Sequence, residues 1–417
     1  MLTNYICAID VSSSKVCAVV AQTKGRHIAN IFFESMPSKG IKRGVIVDSI
    51  SLVGAVGQTL KNLKSKSGIN IKFIYANISG QDISTRHSHA IVPLAERGNK
   101  VITTLDVQKV NEQARVLGSN LEEEIIHSIP FSYSIDSKSN IINPLGLYSH
   151  RLEVDLYLIC GKLSAVQSFS RAVNQAGYEI KDLFFSGIAT SRILFSDEFK
   201  DGLNIFCDIG SDITEVMIFE DSLLKEVKIL PIGGDDLTQE LAEGLNIPSD
   251  LAEEVKRSYA SVGDYSQMRE DKEILIKRNN IYKPIKQKAV CEILTKKTKS
   301  ICLNIKDSIE KITPLERANN FVATGRTVLL EGFLETLENT LGVSVRLGRI
   351  SNPDIVSLVN REEAMSGQKY LTYVNSLGLI AQALHEQQPW FISSQQVAHN
   401  PILKTINKFK EIYQEYF

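Results

Sequence analysis

Residues 204–219 read NIFCDIGSDITEVMIF, a short apolar run that is interrupted at Asp208 and resumes at Val216. An apolar run, a turn of small residues and a second apolar run predict a β-hairpin whose strands are largely buried. Residues 5–21, YICAIDVSSSKVCAVVA, repeat the pattern with Asp10 in the equivalent place. The sequence therefore predicts one unusual hairpin made twice, in two related halves that face each other across a ligand cleft.

Both hairpins carry the residue types of a phosphate site. Consecutive N–H groups in a tight turn can cradle phosphates, and small residues let the backbone approach the ligand. A carboxylate at the strand end can hold Mg²⁺, usually through water. The predicted site residues are Asp10, Ser12, Ser13, Ser14 and Lys15, then Asp208, Gly210, Ser211 and Asp212, with Asp10 and Asp208 directed to Mg²⁺. Such turns also occur in ordinary hairpins, so the pairing is what strengthens the prediction.

Three later segments add candidate contacts. A Gly-Gly-Asp turn before a helix offers a second phosphate contact through the helix N-terminus. A Glu-x-x-Lys pair on one helix face could meet a ligand or form an ordinary surface ion pair. In FVATGRTVLLEGF (321–333), a strand, a turn and a helix could close over a base. These positions are Gly233, Gly234, Asp235, Glu253, Lys256, Gly325 and Arg326.

Composition limits the classes of protein. The chain has 417 residues, 43% hydrophobic and 23% charged, with a net charge of -1, as in a soluble globular protein without a global attraction to nucleic acid. The six cysteines form no Cys-x-x-Cys pair, which predicts reduced, buried thiols. No signal peptide or membrane-spanning run is recognised, so the bulk of the protein is expected in the cytoplasm.

Alternating periodicities predict an α/β protein. Strand-like runs occur at 5–10, 16–21, 73–79, 153–160, 204–208 and 215–219, and helix-period segments at 49–65, 106–118, 163–176, 235–245 and 287–311. The stretch 272–299 holds nine Lys or Arg against two Glu, which is either a solvated face or a docking surface for an acidic peptide.

The last residues, PILKTINKFKEIYQEYF, follow a polar stretch that reads as a linker. Their apolar side chains recur at helical spacing, which fits a terminal helix packed on its own domain or an interfacial membrane anchor. The predicted membrane-facing residues are Ile402, Leu403, Ile406, Phe409, Ile412, Tyr413, Tyr416 and Phe417.

The order of the elements resembles the actin, Hsp70 and sugar-kinase superfamily: two phosphate hairpins, a Gly-Gly-Asp turn, a Glu-x-x-Lys helix and an adenosine turn. Within it the sequence is most similar to the FtsA family of bacterial cell-division proteins, over essentially the whole chain. The similarity is carried by GIKRGVIVD (40–48), by 125–161, by 176–198, by PIGGDDLT (231–238) and by the C-terminus.

This resemblance implies an actin/Hsp70-like ATPase fold of duplicated ribonuclease-H-like halves with an FtsA-type inserted subdomain. The implied organisation is 1–83 with 163–200 and about 370–390 for the first half, 84–162 for the insert, 201–369 for the second half with an outer basic subdomain at about 240–312, a linker at 386–400 and a membrane helix at 401–417.

The resemblance also implies ATP and Mg²⁺ in the cleft, actin-like filaments, and a tether between the membrane and the tubulin-like protein FtsZ. The FtsZ C-terminal peptide would dock near 272–311, and later division proteins would be recruited at the septum, on the cytoplasmic side of the inner membrane. ATPase activity is expected to be weak or absent. The alternatives are an ATP-dependent kinase or phosphatase of the same superfamily, and a degenerate member that polymerises without nucleotide.

Several positions depart from the family pattern. Ser12 and Ser13 replace Gly and Thr in the first hairpin, and a positive φ at Ser12 would cost on the order of 1 kcal/mol. Asp212 and Ile213 replace Gly and Thr in the second hairpin, which adds a negative charge beside the expected phosphates. Arg326 replaces the second Gly of the adenosine turn. These changes weaken the case for hydrolysis, and Glu215 is the one hairpin residue nominated as a catalytic base.

Overall fold

The structure, a computed structural model, describes residues 4–24, 27–95, 98–136, 138–194, 199, 201–264, 273–278, 281–351, 355–357 and 367–386. The chain divides into two compact units, one formed by Met1–Ser84 with Gly161–His385 and one containing Thr85–Cys160. The predicted linker after Glu386 and the predicted helix at 401–417 lie outside the described residues.

The strands are β1 (Asn4–Val11), β2 (Lys15–Lys24), β3 (His27–Pro37), β4 (Ile41–Lys42), β5 (Val45–Ile46), β6 (Phe73–Ile78), β7 (Ile83–Pro93), β8 (Lys100–Val101), β9 (Glu123–Ile135), β10 (Lys138–Ile141), β11 (Tyr148–Ser149), β12 (Arg151–Lys162), β13 (Glu179–Phe185), β14 (Leu203–Ile209), β15 (Thr214–Glu220), β16 (Leu223–Leu230), β17 (Glu273–Arg278), β18 (Ile281–Lys286), β19 (Ala318–Thr324) and β20 (Val345–Leu347). The described helices include α1 (Ser49–Ser67), α2 (Thr104–Leu117), α3 (Leu163–Gln175), α4 (Ser186–Leu194), α5 (Gly234–Leu245), α6 (Ser249–Tyr259), α7 (Gln287–Glu310), α8 (Phe333–Leu341) and α9 (Val374–Glu386).

The larger unit contains two sheets of the same design. Among the described residues, one sheet has the order β13-β6-β1-β2-β3 and the other the order β16-β15-β14-β19-β20. In each sheet an antiparallel hairpin, β1–β2 or β14–β15, is extended by parallel strands on the side of its first strand. The predicted duplication of the halves is therefore confirmed.

Helices cover each sheet and supply its core. In the first half, α1 buries Leu52, Val56 and Leu60 against β1 and β2, and α3 adds Phe169. In the second half, the long helix α7 buries a full stripe of side chains against the sheet. Full burial of one such Leu or Phe side chain contributes about 1.5–3 kcal/mol. This packing holds the two hairpins at the ends of rigid sheets.

The smaller unit is an independent α/β piece. Its sheet has the order β10-β9-β12-β7, and α2 packs Val107, Val110 and Ala114 onto it. The helix begins with a capping box in which Thr103 and Asp106 satisfy each other's backbone N–H groups, an arrangement that stabilises a helix start by about 1 kcal/mol.

The strand and helix runs predicted from periodicity are confirmed in type, with ends shifted by a few residues. One prediction is wrong: the helix does not follow the turn at 324–326 directly. A 3-10 turn at Thr327–Leu329 comes first and α8 begins at Phe333. The reason is that the Thr327 hydroxyl donates to the Gly210 carbonyl (2.7 Å) and Gly332 takes a left-handed conformation, φ +79°.

The six cysteines are all free and buried, as predicted. Burial raises the pKa of the Cys160 thiol to about 11 and that of Cys302 to about 12, so these thiols are protonated and inert at neutral pH. Within the described part of the chain, no helix has both the length and the apolar character to cross a bilayer.

Candidate functional site

The first hairpin ends at a buried carboxylate. Asp10 lies at the end of β1, only 1% exposed, and its Oδ1 accepts a hydrogen bond from Asn77 Nδ2 (2.7 Å). Asn77, at the end of the neighbouring strand β6, also donates to Ser186 Oγ (2.7 Å) and accepts from the Val11 N–H (3.3 Å). Burial raises the pKa of Asp10, and the nearby Lys15 charge and the Asn77 hydrogen bond partly offset it. The strand pairing of β1 and β6 therefore positions the carboxylate.

The serine turn of this hairpin is formed without the strain that a left-handed Ser12 would bring. Ser12 is absent from the residues with positive φ, and its N–H and Oγ both donate to the Lys15 carbonyl (3.0 Å each). Ser14 is exposed at the tip and the Ser13 hydroxyl is buried. The Lys15 ammonium donates to the Thr372 carbonyl, on the segment that leads into α9. The expected cost at Ser12 is thus not incurred.

The second hairpin is built against a helix N-terminus. Its turn closes with a Gly210 N–H to Ile213 C=O bond (2.9 Å), and the N–H groups of Gly234 and Asp235 donate to the carbonyls of Gly210 (3.0 Å) and Ser211 (2.5 Å). A side chain at Gly233 would place its Cβ 2.6 Å from the Ser211 carbonyl oxygen, so this contact requires glycine. Because these N–H groups bind the hairpin itself, α5 offers a phosphate its dipole rather than free donors.

Two buried acids, Asp10 and Glu215, and the partly buried Asp208 converge between the hairpins. Asp208 and Glu215 are paired across β14 and β15. Burial, then the Asp10 charge, raises the pKa of Asp208 to about 6. Burial, then Asp208, raises the pKa of Glu215 to about 8, although the Ser79 hydroxyl donates to its Oε1. The dependence of both pKa values on Asp10 means that the structure brings the two predicted hairpins into one electrostatic site.

The predicted Glu-x-x-Lys pair lies on α6 and forms an ion pair. Lys256 Nζ donates to Glu253 Oε2 (2.6 Å), to Thr238 Oγ1 (2.6 Å) and to the Gly234 carbonyl (2.8 Å). Burial acts to raise the pKa of Glu253, but the hydrogen bonds from Lys256 and Thr238 outweigh it and the pKa is lowered. The pair ties α6 to the start of α5, and Arg257 also binds Glu253 (2.6 Å).

The adenosine turn approaches the second hairpin closely. Gly325 has φ +94°, and a Cβ there would lie 2.5 Å from Asp208 Oδ1. Arg326 is exposed at the surface of this turn, and partial desolvation followed by the charge of Arg257 lowers its pKa. Gly325 is therefore required both by its conformation and by the contact with Asp208.

Four buried polar atoms around this cleft find no hydrogen-bond partner in the part of the chain that the structure describes: Asp10 Oδ2, Ser13 Oγ, Glu215 Oε2 and Thr324 Oγ1. Buried polar atoms are normally satisfied, by protein or by a bound group. Here they come from both hairpins and from the adenosine turn. The described residues hold no cluster of three or more His, Cys, Asp or Glu that could bind a metal ion alone. A metal such as Mg²⁺ would then be shared with a ligand's phosphates, which is its common mode.

Sequence reasoning missed residues that complete the site. Asn77 donates to Asp10 and Ser79 donates to Glu215. Asn375 is close enough to Asp10 to lower its pKa. A polar Asn inside the apolar run FIYANI was a usable signal for Asn77. Ser79 and Asn375 carried none, because their role depends on distant contacts.

The sequence matches two models of one family. The model described as cell division protein FtsA matches residues 205–374, and the model for the SHS2 domain inserted in FtsA matches residues 80–160. Similar curated proteins are cell division proteins FtsA from Pseudomonas aeruginosa (24% identical, 83% of each chain covered), Borreliella burgdorferi (26%, 84% of this chain and 85% of that protein) and Escherichia coli K12 (24%, 83% and 84%).

Solved structures share the fold. The PilM–PilN type IV pilus biogenesis complex is similar with a TM-score of 0.60 and 17% identity, covering 91% of this chain and 98% of that one. MreB 5 of Spiroplasma citri bound to AMPPNP is similar with a TM-score of 0.51 and 11% identity, covering 93% and 100%. With duplicated halves, paired hairpins and an SHS2 insert, the chain has an actin-like ATPase fold and belongs to the FtsA family of cell division proteins.

Proposed function

We propose that this cell division protein binds ATP with Mg²⁺ in the cleft between its two hairpins and assembles into actin-like filaments. The supporting observation is the set of partnerless buried polar atoms, drawn from both hairpins and the adenosine turn, around the acids Asp10 and Asp208. The similar MreB 5 structure holds AMPPNP. The predicted contacts are those of the two hairpins, the Gly-Gly-Asp turn, the Glu253–Lys256 pair and the Gly325–Arg326 turn.

The side chains in the cleft favour ATP binding over ATP hydrolysis. A general base must reach the proton it removes and must be ionised. Glu215 is buried, accepts from Ser79, and has a pKa raised to about 8, so it is largely protonated at neutral pH. We therefore propose weak or absent ATPase activity, which disfavours the alternative of a kinase or phosphatase.

The tether role extends the same proposal. Residues 401–417 would anchor the chain at the cytoplasmic face of the inner membrane, and the FtsZ C-terminal peptide would dock on the basic stretch 272–311 at the septum. In the described part of that stretch, Lys297 pairs with Glu240 (3.2 Å) and Lys306 with Glu310 (3.8 Å). Lys299 and Lys311 are exposed without such an ion pair among the described residues, so we assign an acidic peptide to them.

The deciding experiment is a titration of the full chain with labelled ATP, with and without Mg²⁺. Saturable, Mg²⁺-dependent binding that Asp208→Ala abolishes is the expected result. The matched control is Asp201→Ala, an exposed acid in the loop before β14, which should bind like the wild type. An absence of binding in the wild type would overturn the nucleotide proposal and favour a member that polymerises without nucleotide.

A further inference from the structure

The hairpin β4–β5 has an unusual tip. Ile41 pairs with Ile46 and Lys42 with Val45, which leaves Arg43 and Gly44 as a two-residue turn. Both have positive φ, 49° and 75°, as a type I′ turn requires. Arg43 is not a residue that such a turn favours, because left-handed backbone is unfavourable for a side chain with a Cβ. The turn is therefore held by contacts outside the hairpin.

Those contacts fix the tip from two sides. Within the first half, the Arg43 carbonyl accepts from the Gln81 N–H (3.2 Å), and Gly44 packs directly on Gly80, where a Cβ on Gly80 would lie 2.7 Å from Gly44 Cα. From the second half, the Arg43 N–H donates to Asp212 Oδ2. In a two-residue turn this N–H takes no part in the strand ladder, so it is available to an acceptor across the cleft.

Asp212 is the residue that departs from the glycine of the family's second phosphate hairpin. It is 7% exposed, and its charge adds to burial, the larger cause, in raising the pKa of Asp235 to about 6. No ion pair reaches it among the described residues. Its carboxylate instead accepts a hydrogen bond from a neutral backbone N–H of the opposite half, that of Arg43. Another hydrogen bond between the halves, from Ser79 to Glu215, lies close by.

We propose that Asp212 is a built-in latch and a selectivity residue: its carboxylate holds the Arg43 amide of the opposite half without any ligand, and its charge makes a nucleoside diphosphate preferred to a triphosphate. The preference rests on the proposed nucleotide site. A triphosphate brings one more anionic group toward a carboxylate that is already bound, and like charges at contact distance repel strongly where solvent is excluded. A diphosphate lacks that group.

The latch is tested without nucleotide by hydrogen exchange in the full chain, followed at the peptide spanning 41–46. Asp212→Gly should speed exchange of the Arg43 amide at least tenfold, and Asp212→Asn, which keeps an acceptor oxygen, should speed it less. Asp201→Asn, the same charge change on the surface, should leave it unchanged. Equal exchange in the wild type and both Asp212 variants would overturn the latch.

Selectivity is tested by titrating the same proteins with Mg·ADP and Mg·ATP. In Asp212→Gly the affinity for ATP should rise at least tenfold more than the affinity for ADP, and Asp212→Asn should show the same trend. Equal changes for the two nucleotides would overturn the selectivity. If no variant binds either nucleotide, the proposed function fails, and the latch is then judged by the exchange result alone.

Discussion

Asp208 and Glu215 are directly opposite each other on β14 and β15, so two acids form one cross-strand pair of the sheet. Among the described residues neither acid forms an ion pair, and the Ser79 hydroxyl donates a hydrogen bond to Glu215 Oε1. Burial followed by the Asp10 charge raises the pKa of Asp208 to about 6, and burial followed by the Asp208 charge raises that of Glu215 to about 8, so both acids keep their protons to a higher pH than usual. The second hairpin is therefore a place where protonation and folding are coupled.

The first prediction concerns pH. A raised acid pKa means that the folded chain binds more protons than the unfolded chain, so this contribution to stability is complete below about pH 4 and is lost as pH rises through about 6 and 8. Glu215→Gln, which mimics the protonated acid, should reduce the loss of unfolding free energy between about pH 5 and about pH 9 by roughly 1–4 kcal/mol. Urea unfolding at several pH values measures it.

Glu335→Gln is the control for that series, because Glu335 is an exposed acid on α8. This substitution should leave the pH dependence of the unfolding free energy as in the wild type. If the unfolding free energy of Glu215→Gln falls with pH as steeply as that of the wild type, the pKa of Glu215 is not raised.

The second prediction concerns Asn77, which satisfies three buried partners at once. Asn77→Ala removes the bonds to Asp10, to Ser186 and to the Val11 N–H, and should cost about 1–3 kcal/mol of unfolding free energy and weaken Mg²⁺-dependent nucleotide binding. Ser186→Ala removes the bond from Asn77 and a long one to the Ile78 carbonyl (3.5 Å) but leaves Asp10 its partner, and should cost about 1 kcal/mol with little effect on binding. Equal effects of the two substitutions on nucleotide affinity would show that Asn77 does not position Asp10.

These residues also show what sequence could predict. The hairpins, their acids and the helix periods are local patterns, and all three were found in the expected elements. Two of the hydrogen bonds between the halves join Ser79 to Glu215 and Arg43 to Asp212, which are 136 and 169 residues apart. Neither the Ser79 hydroxyl nor the Arg43 amide has a local signature, so the departure at Asp212 could be recognised in the sequence but its partner could not.

The third prediction separates crowding from conformation at glycine. Gly44 and Gly68 have nearly equal φ values, 75° and 69°, but a Cβ at Gly44 would lie 2.1 Å from the Ser79 carbonyl oxygen, whereas nothing lies within 4 Å at Gly68. Gly68→Ala should cost about 1–2 kcal/mol from the left-handed backbone alone. Gly44→Ala adds a clash with backbone and should cost about 3–4 kcal/mol. Urea unfolding measures the loss of unfolding free energy in both variants. Equal losses would contradict the tight contact between Gly44 and the Ser79 carbonyl.

The fourth prediction concerns docking of an acidic peptide. Lys299→Glu and Lys311→Glu together should weaken binding of the FtsZ C-terminal peptide at least tenfold, because they reverse two exposed charges on and just after α7. Lys24→Glu with Lys39→Glu, two exposed lysines of the first half, is the matched control. Fluorescence anisotropy of the labelled peptide at low and high salt measures the affinity. If both double variants weaken binding equally, the cause is the change in net charge and not the loss of a docking surface at Lys299 and Lys311.

The last prediction concerns the C-terminal segment, whose structure lies outside the described residues. If residues 401–417 form an interfacial helix, the sequence places Ile406 on its apolar face and Asn407 on the opposite face. Ile406→Glu should then reduce binding to anionic vesicles at least tenfold, because burying one such side chain is worth about 1.5–3 kcal/mol and a charge on the apolar face adds a penalty. Asn407→Glu adds the same charge on the polar face and should weaken binding much less. Vesicle co-sedimentation of the two variants, beside a chain lacking 401–417, decides between an anchor and a helix packed on its own domain, since a packed helix predicts no vesicle binding for any of them.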